Sequence, residues 1–284
     1  MAPHRLISIG LLAGALVTLA ACITNPCTGR SQLVMISASE EQQMGAQVYQ
    51  QMRRDPKHPV STNPQEVDPV KRVAARVIDA AKQSKYGDEA RQFQWEVTVF
   101  KADDTPNAFA LPGGKIGVYT GIFPAAQNEA GLAAVLGHEV VHALARHAAE
   151  RMSQDVLAQV GLGAAGIALG QSGMSPGASQ AAMAALGLGA NVGIMLPFSR
   201  QHESEADYIG LLLAAQAGYD PREAVRMWER MDKLSQGAPP EFLSTHPGHG
   251  TRIQQLQAWM PEALDLYRPR AGAPAAELPK IKGR

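Results

Sequence analysis

The run His138-Glu139-Val140-Val141-His142 constrains this chain more than any other stretch. Residues four apart on a helix are separated by one turn plus about 40°. His138 and His142 therefore share a face, with Cβ atoms about 5–6 Å apart. Their imidazoles can close on one ion at Zn–N distances near ~2.0–2.1 Å. Glu139 is turned about 100° from His138, so it reaches a water in the open coordination position rather than the ion. Two ligands with a general base between them make the pattern of a zinc peptidase. The alternative is a pair of satisfied histidines on a core helix. The surroundings predict one helix over about 128–152, with Asn128 as N-cap, Glu129 in the first turn, and Leu132, Val135, Val140, Val141 and Leu144 facing a core.

A catalytic zinc needs three protein ligands and one open position. His147 is the nearest candidate, but no glycine turn intervenes and the sixth residue after His142 is Ala148. His147 is expected on the continuing helix as a packing or surface residue. Glu203 fits better. Ser199 to Asp207 opens an amphipathic helix continuing through Tyr208, Leu211 and Leu212, on which Glu203 and Asp207 lie four apart. One carboxylate can bind the metal while the other orients a ligating histidine. Glu205 falls on another face and is expected to be solvated. His202 points about 100° away from Glu203.

HEVVHALARHAAERMS, followed by SRQHESEADYIG, resembles the M48 metallopeptidases, the group of the CAAX prenyl proteases. NPCTGRSQLVMIS (25–37), NAFALPGGKIGVYTG (107–121) and STHPGHGTRI (244–253) agree with it, and the similarity spans about residues 25–258. The nearest likeness is to bacterial lipoprotein members. The resemblance implies that His138, His142 and Glu203 hold one zinc ion per chain and that Glu139 is catalytic. It implies an α+β fold, a mainly helical zincin of the gluzincin type with a small sheet beside the HExxH helix. His246, in Ser244-Thr245-His246-Pro247, is similar to the family's His-Pro motif. It is expected either to stabilise the oxyanion, to occupy a fourth ligand position, or only to fix a turn.

His4 and Arg5 precede an uncharged run from Leu6 to Ala21, too short to span a bilayer as a helix. Leu19-Ala20-Ala21-Cys22 looks like a bacterial lipobox, so residues 1–21 are expected to be a signal peptide and Cys22 to carry lipid. Residues 22–36 would be the lipidated segment, 37–265 the peptidase domain and 266–284 a flexible Pro/Ala-rich tail. Ile23 after the cysteine suggests the periplasmic face of the outer membrane, in a bacterial envelope. A lipidated Cys22 leaves Cys27 as a lone thiol with no disulfide partner in the chain. Lys+Arg and Asp+Glu balance at 26 each, and no basic stripe supports a nucleic-acid partner. Nothing in the sequence specifies an oligomeric state.

Further elements are expected as an irregular stretch over 23–36, helices near 38–53, 68–83 and 250–258, and a helix opening at Asp220-Pro221. Phe93–Val99, Asn107–Leu111 and Ile116–Tyr119 read as strands, the last two joined through Pro112-Gly113-Gly114. The strands before the metal helix offer an edge on which extended substrate can pair. Residues 156–199 contain no charged side chain and are expected to be helices that touch lipid, form a lid or are buried under the site. Together these readings describe a membrane-anchored metalloendopeptidase acting on unfolded or misfolded proteins. The alternative is a lipoprotein chaperone or assembly factor for outer-membrane proteins with a structural zinc.

Overall fold

Local side-chain chemistry sets most element boundaries in the computed structural model, which describes residues 22–168, 198–234, 242–243, 246, 251–269 and 276–281. Asn25 Oδ1 accepts the Cys27 and Thr28 amides, and Gly29 takes φ 73°. That turn pairs β1 (Cys22–Thr24) antiparallel to β2 (Ser31–Leu33). The irregular stretch expected here is thus a hairpin, made by an Asx turn that alternation of apolar residues does not reveal. Ser37 and Glu40 exchange a capping box before α1 (Ala38–Arg53). Asn63 caps α2 (Pro64–Gln83) with Pro64 in its first turn, so this helix begins earlier than its apolar stripe suggests. A short α3 (Gly87–Gln92) follows, which the sequence pattern had not marked.

β3 (Glu96–Phe100), β4 (Ala108–Leu111) and β5 (Lys115–Tyr119) form a sheet in the order β3-β5-β4. β5 is parallel to β3 and antiparallel to β4, which leaves β4 at the edge. Gly113 and Gly114, at φ 80° and 85°, make the β4–β5 turn that an L side chain would strain. Then come α4 (Phe123–Ala126), α5 (Glu129–Leu144), α6 (His147–Ala168), α7 (Arg200–Gln216), α8 (Arg222–Leu234) and α9 (Arg252–Leu266). The α+β class, mainly helical with small sheets, is the one expected.

The chain divides into two compact units. In the unit of residues 1–40 and 148–191, Arg30 and Gln32 of the hairpin both bind the Glu150 carboxylate, and Ser153 accepts the Met35 amide. The unit of residues 41–147 and 192–284 is built around α5. Every residue of α5 is buried, because α2, α7, α8 and β4 all pack on it. A helix enclosed on all sides cannot hide polar groups on a wet face. Its histidines and glutamates must therefore find partners within the protein.

The contact between α5 and α7 is a glycine pair. A Cβ on Gly137 would lie 2.6 Å from the Gly210 carbonyl oxygen, and one on Gly210 would lie 2.7 Å from the His138 nitrogen. Backbones can approach this closely only without side chains at the crossing. Gly210→Ala should force the helices apart, destabilising by about 1–3 kcal/mol and weakening metal uptake, both measurable by denaturant melts and chelator competition. Unchanged stability would mean the crossing has slack that these distances deny.

Two expectations are corrected in this unit. The helix expected over 128–152 stops at Leu144 and restarts at His147, with Arg146 at φ 56°. Arg146 Nε donates to Glu41 Oε2 at 2.7 Å, a long-range contact that holds a conformation no local signal announces. Nor is the tail flexible throughout. Glu129 donates to the Ala276 carbonyl and Leu278 donates to Gln127, so residues 276–278 strap across the start of α5, and Leu278 is buried. The uncharged region 156–199 falls largely outside the described residues. Among those described, no helix is long and apolar enough to cross a membrane.

Candidate metal centre

His138 and His142 project from consecutive turns of α5, and Glu203 meets them from the first turn of α7. Asn128 and Ser199 cap these helices through the Gly131 and His202 amides, fixing the phase at which each ligand side chain emerges. His138 Nε2 and His142 Nε2 are 3.1 Å apart. His246 Nδ1 lies 3.2 Å from His138 Nε2 and 3.1 Å from Glu203 Oε1. Glu203 Oε1 is 3.4 Å from His142 Nε2. A tetrahedral ion with bonds of ~2.0–2.1 Å holds its donors about 3.3–3.4 Å apart. All four residues are buried, and their ligand atoms converge on one point inside the protein. The donor set, three imidazoles and one carboxylate around one point, suits zinc.

Asp207 Oδ1 meets His138 Nδ1 at 2.9 Å, leaving Nε2 to face the other donors. Arg252, 3% exposed, lies between the acidic pair of α7. Its Nε donates to Asp207 Oδ2 at 2.6 Å and its Nη2 to Glu203 Oε2. Its guanidinium rests 3.9 Å from the centroid of the Trp228 ring, a cation–π seat. In the sequence Arg252 stands six residues after His246. An arginine at the start of α9 gives no sign of the carboxylates it will meet.

Electrostatics divides the group. Burial resists charging of His138, but the Asp207 hydrogen bond and the charges of Glu203, Asp207 and Glu139 outweigh it and raise its pKa. Burial dominates at His142 and pushes its pKa well down. Burial also opposes the charge on Glu203, yet hydrogen bonds from His142 and His246 and the charge of His138 hold its carboxyl well below the usual range. Glu139 goes the other way: burial raises it, with the nearby charges of His246 and His138 and the Ala110 amide opposing. Its Oε1 makes no hydrogen bond and sits 3.5 Å from His246 Nε2. A buried carboxylate oxygen without a hydrogen bond, beside a group of residues that could hold a metal, is an unsatisfied acceptor of the kind found at functional sites.

Glu203 and Asp207 thus stand with the two histidines, as does His246. Glu205 is corrected: it is not solvated but buried, 3.2 Å from His147 Nε2. His147 is buried and reaches His142, which the expected unbroken helix would not have allowed. Cys22 is exposed at the start of β1, and Cys27 lies half-buried in the turn that follows.

With HExxH on α5 and its acidic partners on α7, the fold is that of a metallopeptidase. A model of Peptidase family M48 matches residues 64–260, and the chain belongs to that family. It is 43% identical over 198 residues to the mitochondrial metalloendopeptidase OMA1 of Schizosaccharomyces pombe, covering 68% of this chain and 53% of that protein. To the Saccharomyces cerevisiae OMA1 it is 32% identical over 259 residues, 85% of this chain and 70% of the relative. To the beta-barrel assembly-enhancing protease of Escherichia coli it is 31% identical over 235 residues, covering 81% and 46%. The chain spans about half the length of the first and third of these relatives.

Family membership agrees with the sequence reading, but the location does not. OMA1 relatives from yeasts, a plant and animals are mitochondrial by name, which overturns the bacterial outer-membrane assignment. That assignment rested on a basic start, an apolar run, the lipobox-like Leu19-Ala20-Ala21-Cys22 and Ile23 after it. No acidic residue precedes Glu40, and organelle-targeting segments are likewise basic and poor in acid. A basic, acid-poor apolar stretch does not by itself separate the two destinations.

Proposed function

We propose that this chain is a zinc-dependent endopeptidase acting on unfolded or misassembled polypeptides. The observation that carries this is the buried cluster of His138, His142, Glu203 and His246 with the orphaned Glu139 oxygen beside it. His138, His142 and Glu203 would hold the ion. Zinc bound there would polarise the scissile carbonyl and make water acidic enough to attack near neutral pH.

The chain's own residues do the rest. Glu139 accepts the proton of the attacking water and hands it to the leaving nitrogen, a transfer that typically contributes ~10²–10⁴-fold. Asp207 keeps His138 in one tautomer, and Arg252 hydrogen-bonds both α7 carboxylates and holds them in place. β4 is the sheet edge that packs on α5. An extended substrate strand added there would gain backbone hydrogen bonds with little demand on side chains, which suits unfolded segments. A purely structural metal would gain nothing from Glu139, so the chaperone alternative draws no support from this geometry.

His246 supplies the fourth donor in this reading and so competes with water for the last position. His246→Ala is expected to raise basal hydrolysis while loosening zinc roughly tenfold. Unchanged hydrolysis with unchanged affinity would leave His246 a turn residue. The central test is incubation of the purified chain with an unfolded protein, with and without a chelator. Cleavage that chelation stops and zinc restores is the expected result; chelator-insensitive cleavage, or none, would reject the assignment.

A further inference from the structure

We propose that His147 and Glu205 are positioning residues that fix the ring of His142, an inference resting on the reading of His142 as a metal ligand. The helix break makes this possible. Arg146 turns the chain through φ 56° under the hold of Glu41, and His147, 0% exposed, comes to lie against His142. Their Nδ1 atoms are 3.1 Å apart. On the far side of the His147 ring, Nε2 is 3.2 Å from Glu205 Oε2. The ring also stacks on His202, with centroids 4.5 Å apart and planes 19° apart.

Two ring nitrogens facing each other can share only one proton, and that decides the arrangement. His142 presents Nε2 to the point between His138 and Glu203, so a neutral His142 that ligates the metal through Nε2 carries its proton on Nδ1. His147 Nδ1 must then accept, and its own proton stands on Nε2, where the Glu205 carboxylate accepts it. This assignment satisfies both the His142 and the Glu205 contacts of the His147 ring. The two ligand histidines are thus anchored differently. His138 leans directly on Asp207, while His142 leans on a carboxylate relayed through a second imidazole. Stacking on His202 and the contact with buried Glu205 bear on the His147 ring from two sides. Groups that orient a ligating histidine typically change metal affinity 10–100-fold.

Zinc affinity measured by chelator competition tests this on the full chain. His147→Phe and Glu205→Leu are expected to weaken zinc binding 10–100-fold. His147→Asn keeps an acceptor towards His142, and Glu205→Gln keeps one towards His147; both should stay within about threefold of wild type. Nitrogen NMR of the wild-type imidazoles should show the His147 proton on Nε2. Wild-type affinity in His147→Phe and Glu205→Leu would overturn the proposal. So would equal losses in disruptive and conservative variants, the result of a merely structural role, or a His147 proton on Nδ1. Should His147→Phe fail to fold, the Glu205 pair decides. A wild-type chain that takes up no zinc would sink the metal reading itself, an outcome distinct from the others.

Discussion

Glu139→Gln should bind zinc as tightly as the wild type and lose peptide hydrolysis by at least ~10²–10⁴-fold, the usual contribution of a positioned proton carrier. The substitution keeps shape and volume but replaces an acceptor oxygen with an amide that cannot take a proton. Glu139 is not among the residues whose donor atoms converge at the centre, so the metal should be held as before. Its Oε1 makes no hydrogen bond, so the new amide breaks none there. Zinc stoichiometry and turnover of an unfolded protein, measured on the same preparation, check both halves. Retained turnover would remove Glu139 from the chemistry. Zinc lost along with turnover would show that it helps hold the ion.

The second large effect concerns stability. Arg252→Met should destabilise the zinc-free chain by about 3–5 kcal/mol, the typical cost of breaking a buried ion pair from one side. Arg252 lies between Glu203 and Asp207, and all three are almost fully buried. Methionine fills the space over Trp228 but leaves the two carboxylates facing each other without a cation between them. At about 2–4 °C per kcal/mol for a domain of this size, the melting temperature should fall by roughly 6–20 °C. Arg252→Lys should recover only part of this, since an ammonium cannot reproduce the fork that spans both acids. A melt within 1 °C of wild type would mean that the charges are compensated by other groups. Metal uptake should weaken in parallel, because Glu203 and Asp207 lose their alignment together.

The residues of the candidate metal site are legible in the sequence because helical spacing is a local property. His138 and His142 sit one turn apart wherever an α-helix forms, and Asn128 marks where this one starts. Glu203 and Asp207 could be paired for the same reason, once Ser199 was seen to open a helix. Glu205 was misjudged by the same logic. Facing away from one partner is not facing solvent when a helix is buried on more than one side.

Three other features depended on contacts far apart in sequence. The break after Leu144 needs Glu41 to hold Arg146. The docking of residues 276–278 needs the backbone of Gln127 and Glu129 as its template. Arg252 becomes a bridge only because α9 packs on α7.

By itself, then, the order of residues determined the chemistry available to this protein: two imidazoles and a proton acceptor on one helical turn, and an acidic pair on another. Periodicity is imposed by backbone geometry within a few residues, so it can be read directly from the chain. Tertiary structure alone decided how those groups are held. It set the glycine crossing that brings α5 and α7 together, the arginine between the two acids, and the second imidazole behind His142. Each of these is a meeting of distant segments, governed by packing and desolvation, which no local pattern encodes.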